Sequence, residues 1–172
     1  MNIQKEKGRE VKRINLVVSF MMACFVLFSA TIIMAEEGKY VEKKVYIESL
    51  VNEAYQLIQA KGEEAISIIK DEKGKFNTKD VYVFLVSGET GADLINPAFP
   101  EVEGLPAKDY SDEDEKAAQM TVVNAVKDKD SAWVEYLWPK PGETKPVKKI
   151  SYLKKIIING KVRIVGAGFY PE

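Results

Sequence analysis

The sequence has 172 residues, 46% of them hydrophobic and 30% charged, and a formal net charge of −1. This length suggests one domain with an appendage and is enough to bury a sizeable core, while a near-neutral charge offers no basic field for nucleic acid. Histidine is absent and the single cysteine is Cys24, so the commonest general base and metal ligand are missing, and beyond Cys24 there is no thiol nucleophile, disulfide or Cys/His metal site.

Residues 1–13 are polar and net basic, with Lys5, Lys7, Arg9, Lys12 and Arg13 against Glu6 and Glu10. Ile14 to Ala35 carry no charge. The run is long for the apolar part of a signal peptide and long enough to span a bilayer. Two readings stand: a signal peptide cleaved after Ala35, or an uncleaved N-terminal membrane anchor. Both keep the basic end inside and place residues 36–172 outside the cytoplasm, as a periplasmic or extracellular domain. Met21-Met22-Ala23-Cys24 fits a lipoprotein signal poorly, because apolar residues continue past Cys24.

Within residues 40–70, Ile47, Leu50, Val51, Ala54, Leu57 and Ile58 recur at helical spacing. Gly62 makes a soft point, so this is one long helix or two, ended by Lys73-Gly74. Val81 to Ser87 is rich in β-branched and aromatic residues and reads as a strand. Gly88 to Gly91 turn the chain into a short strand at Leu94-Ile95, stopped by Asn96-Pro97. Residues 96–111 form a long loop, a length often tied to function in a compact domain. Ser111 reads as the N-cap of a second helix running to about Lys127, with acidic residues in its first turn. Strands follow at Trp133 to Trp138, at about 148–158 and at 161–169. Asn159-Gly160 between the last two is a strong hairpin signal, because both turn residues need positive φ. The expected fold is α+β: a five-stranded antiparallel sheet with helices on one side.

These residues resemble the single Cache family, the PAS-like extracellular sensor domains, over about residues 45–170. The resemblance rests on ordered landmarks: Tyr82-Val83-Phe84-Leu85 with Gly91; Asn96-Pro97, Gly104 and Asp112; Trp133-Val134 with Tyr136, Trp138 and Pro139; Lys149-Ile150-Ser151-Tyr152; and Gly166-Ala167-Gly168-Phe169-Tyr170. It implies a PAS-like sheet with a long N-terminal helix and a second helix after the first hairpin. Two departures lie near the presumed pocket. Asn96-Pro97 stands where many members have His-Pro, and Glu115-Lys116 where many have Gly-Lys. The sequence ends at Glu172, so the resemblance implies a stand-alone module that either passes its signal through a membrane signalling partner or only binds.

The resemblance also implies a small organic acid or amino-acid-like ligand, bound between the sheet, the loop 96–111 and the helix after it. Tyr82, Asn96, Tyr110, Trp133, Tyr136, Trp138, Lys149 and Tyr152 are the candidate ligand-binding residues: aromatic walls for a carbon skeleton, hydroxyls and an ammonium for a carboxylate. Read without the family, Trp133, Tyr136 and Trp138 are equally at home in a core. Lys149 then belongs to a solvated basic edge with Lys145, Lys148, Lys154 and Lys155, and Asn96 is a turn former. No catalytic residue, metal site or cofactor is expected. Ser151 has no histidine partner, and the acids from Asp109 to Glu115 suit a helix start better than a calcium loop. The expected function is a non-catalytic, extracytoplasmic small-molecule sensor. The competing reading is a structural or interaction protein that docks on a membrane receptor or another partner.

Overall fold

The computed structural model describes residues 38–71, 73–78 and 81–171. The basic, apolar leader expected over residues 1–35 lies outside them. The chain divides into two units, Met1–Glu42 and Lys43–Glu172, and the second carries the sheet.

Helix α1 covers residues 38–61 and α2 covers Glu64–Lys70. The break falls at Gly62, whose φ of 56° is a left-handed conformation that glycine adopts without strain. Its N–H closes the last turn of α1 on the Ile58 carbonyl at 2.8 Å, a C-terminal cap. The stretch 40–70 is therefore two helices, with the apolar stripe from Ile47 to Ile58 on the first. Ile47, Leu50, Val51, Ala54 and Ile58 of α1 are all buried.

Strand β1 is Val83–Ser87 and β2 is Asp93–Ile95. The loop after β2 contains two short 3-10 turns, Pro100–Val102 and Ala107–Asp109. It is tied down along its length. Glu103 accepts from the Asn96 N–H at 2.8 Å and pairs with Lys70 at 2.6 Å, and Ala107 N–H reaches the Thr90 carbonyl. Helix α3 is Glu113–Ala125. Its N-cap is Asp112, not Ser111: the Asp112 carboxylate accepts from the N–H groups of Asp114 and Glu115. An ionised acceptor makes stronger hydrogen bonds here than a hydroxyl.

Strands β3 (Ser131–Pro139), β4 (Pro146–Ile158) and β5 (Lys161–Phe169) complete a five-stranded antiparallel sheet in the order β2-β1-β5-β4-β3. Asn159 and Gly160 have φ of 51° and 75°, the positive pair that this hairpin turn demands. Helices cover both faces of the sheet rather than one side, because its residues alternate and both sets are apolar. Tyr82, Phe84, Val86, Leu153 and Ile164 join Val122 of α3 and Val126 just past its end in one core cluster. On the reverse face Trp133 packs at a tilt against Tyr152 and lies under Lys44 of α1, while Lys154 bonds Asn52 of α1.

Glycines in β5 allow close approach. A Cβ on Gly166 would sit 2.5 Å from the Phe84 ring, and one on Gly168 would collide with Ser151 Oγ. That space lets Ser151 lie within 2.9 Å of the Tyr136 hydroxyl on the α3 side of the sheet.

Candidate ligand-binding site

Between the sheet and α3 lies a cavity of about 10 Å³, room for about one water molecule. Tyr82, Phe84, Val86, Asp93, Tyr136, Trp138 and Lys149 line it from the sheet, Asn96 from the residue after β2, and Gln119 from α3. Pairing explains the convergence. Tyr136 on β3 stands directly across from Lys149 on β4, and directly opposed residues share a face. Asp93 opens β2, Asn96 follows it, and Gln119 comes from the second turn of α3.

Lys149 is 1% exposed. Its Nζ donates to the Tyr82 hydroxyl at 2.8 Å and lies 4.1 Å from that ring's centre, with Phe84 and Tyr170 also close. Burial pulls the ammonium down from its ordinary 10.5 to about 7, and the charge of Asp93 opposes part of that fall. Burial also holds the Tyr82 and Tyr136 hydroxyls well above the ordinary phenol range.

Asp93 is 1% exposed. Its Oδ2 accepts from the Tyr110 hydroxyl at 2.9 Å, from Gln119 Nε2 at 2.7 Å and from Asn96 Nδ2 at 3.3 Å. Desolvation nevertheless dominates and pushes the carboxyl up from 3.8 to about 6; the hydrogen bonds and Lys149 counteract it. Because both amides spend their NH₂ groups on Asp93, Asn96 Oδ1 and Gln119 Oε1 are buried without a hydrogen-bond partner. Orphan acceptors of this kind are uncommon in folded proteins. Asp93 and Lys149 line the same cavity, yet no ion pair among the described residues joins them.

Six of the eight residues expected from sequence gather here: Tyr82, Asn96, Tyr136, Trp138 and Lys149 in the wall, and Tyr110 behind it on Asp93. Trp133 and Tyr152 do not. They pair with each other on the reverse face, against α1. Lys149 is not part of a solvated edge either; its neighbour Lys148 is, paired with Glu135. The sequence reading missed Asp93 and Gln119. Asp93 is a charged residue inside the apolar run Ala92-Asp93-Leu94-Ile95, and Gln119 falls at helical spacing with Val122 and Val126. A polar residue on a stripe meant for the core was the available signal in both cases.

A family profile described as Cache domain matches residues 29–172. The chain is 32% identical over 79 residues to the methyl-accepting chemotaxis protein McpP of Pseudomonas putida. That alignment covers 46% of this chain and 14% of the relative. Among solved structures, a periplasmic sensor domain of a chemotaxis protein superposes with a TM-score of 0.63 at 26% identity, over 77% of this chain and 98% of the other. A Cache chemosensory domain described for its recognition of carboxylic acids gives 0.62 at 29% identity, over 79% and 98%. A methyl-accepting chemotaxis protein from Vibrio parahaemolyticus shares the fold, with 0.63 at 18% identity over 80% and 95%.

Proposed function

The chain belongs to the Cache domain family, and from that premise we propose that it is an extracytoplasmic, non-catalytic sensor module that takes a small carboxylate-bearing molecule at the cavity around Lys149. The carrying observation is Lys149 itself. Burying an ammonium is costly, and here a single phenol hydroxyl accepts from it in a cavity walled by aromatic rings. An anionic ligand would offset that cost. The carboxylic-acid-recognising neighbour supports the ligand class. The chemotaxis sensor domain and the methyl-accepting relative support a place outside the cytoplasm and a membrane signalling protein as partner.

A cavity of about 10 Å³ is smaller than any carboxylate, so entry requires the loop 96–111 and α3 to move away from the sheet. The same small volume favours the competing reading, a Cache fold that docks on a partner without taking a ligand. A thermal-shift screen of short carboxylates, amino acids, amines and purines separates the two. A ligand specific for the folded state adds about 2.7 kcal/mol at a hundredfold excess over its Kd, and Lys149→Met should abolish the response. A cooperative melt that no compound shifts would refute the sensor reading and leave the docking module.

A further inference from the structure

We infer that the chain has a second small-molecule site, on the α1 and α2 side of the sheet, that takes an amphipathic carboxylate: an alkyl chain with a single anionic head, such as octanoate. A cleft of about 330 Å³ opens there between the turn that joins α1 to α2, the paired strands β1 and β2, and the β4–β5 hairpin. Packed proteins keep few voids larger than a water molecule, and this volume lies in the range of small-molecule sites. The cleft shares no lining residue with the cavity around Lys149, so the inference stands whatever that cavity binds.

The lining fits an alkyl chain. Leu85 faces the cleft because Phe84 and Val86, on either side of it in β1, face the first cavity. The register of β2 on β1 steps from Val86↔Asp93 to Leu85↔Ile95, so Leu94 is the extra residue of a bulge. Asp93 then lines one cavity while Leu94 and Ile95 both line the other. Ile58, near the end of α1, and Ile66 of α2 extend the apolar surface, and Ile66 is 37% exposed. The charges fit an anionic head. Lys161 and Arg163 are two residues apart on β5 and so share a face. Arg163 spends Nη1 on Glu89 and the Val162 carbonyl, and no hydrogen bond among the described residues uses its Nε or Nη2. Lys161 joins no ion pair among the described residues, and neither does Glu63, which also lines the cleft. Two cations against one carboxylate leave a net positive charge beside an apolar floor, the complement of a carboxylate on a hydrocarbon chain.

Isothermal titration of the full chain with the straight-chain alkanoates from butanoate to octanoate, and with octylamine, tests this. Affinity should rise by up to about fourfold per methylene, and octanoate should bind about tenfold or more tighter than octylamine. Lys161→Glu should weaken octanoate about fivefold, and Ile66→Asp, which sets a carboxylate against the chain, about tenfold. Both positions are exposed, a cooperative melt establishes that each variant folds, and the chain-length series stands without either. Octylamine binding as tightly as octanoate would overturn the anionic head. Affinity that is flat or falls with chain length would place the alkanoates in the cavity around Lys149 and overturn the second site. Octanoate binding that neither variant weakens, or no binding at all, would overturn it as well.

Discussion

Asp93→Asn should stabilise the protein, and the gain should grow with pH in a calculable way. The folded state holds the Asp93 proton up to about pH 6, whereas the ordinary value is 3.8. Between these values the folded protein binds more protons than the unfolded chain, so its stability falls as pH rises. Over that interval, at about 1.4 kcal/mol per pH unit, the loss reaches about 3 kcal/mol. Asparagine keeps the shape and one acceptor for Tyr110 and Gln119 but does not titrate. The stability difference between variant and parent should therefore rise by about 2 kcal/mol from pH 4 to pH 6.5. Other carboxylates cancel in the difference, and Lys149 stays charged over most of this window. Urea denaturation followed by circular dichroism at half-unit steps measures it. A difference independent of pH would mean that Asp93 is not held protonated by burial, and the electrostatic description of the cavity would fall with it.

Tyr82→Phe removes the acceptor for Lys149 and should weaken ligand binding by about 1–3 kcal/mol, whereas Tyr152→Phe, on the reverse face, should leave calorimetric affinity unchanged. Gly168→Ala drives a methyl group into Ser151 and the Ile150 carbonyl and should cost about 1–3 kcal/mol in thermal unfolding. Asp112→Ala removes both N-cap hydrogen bonds of α3 and should cost about 1 kcal/mol; an unchanged melting temperature would show that the helix start is held by other contacts.

The elements were legible because their signals are local. The Asn159-Gly160 turn, the apolar run into β1 and the helical spacing from Ile47 to Ile58 each depend on a few neighbouring residues. The site was half legible. Side chains on a strand alternate faces, so Trp133 and Tyr136 cannot share one, nor can Lys149 and Tyr152. Parity alone therefore separates the candidates into two sets. Which set faces the cavity depends on where α1 and α3 pack, and that is settled by contacts far apart in sequence. Ser111 and Asp112 show the limit on a smaller scale: both suit an N-cap, and only the backbone at Asp112, with φ −87° and ψ 127°, decides between them.

On the sensor reading proposed above, the two buried charges also provide a way for the module to respond to a small molecule. Asp93 and Lys149 both sit in states that burial disfavours, and two amide oxygens beside them lack partners. Each is a cost carried by the closed arrangement. A ligand that satisfies them relieves that cost only when the cavity has widened to admit it, so binding favours a different placement of the loop 96–111 and α3. The shift a ligand can drive is limited by its differential affinity for the two arrangements. A cavity lined with buried charges and unpartnered acceptors makes that difference large, while a purely apolar pocket of this volume would make it small. Filling the same space with apolar side chains, as in the pair Asp93→Leu and Lys149→Met, should therefore raise stability and abolish any ligand-dependent change in hydrogen exchange over residues 96–125. Retention of that change in the double variant would refute this account.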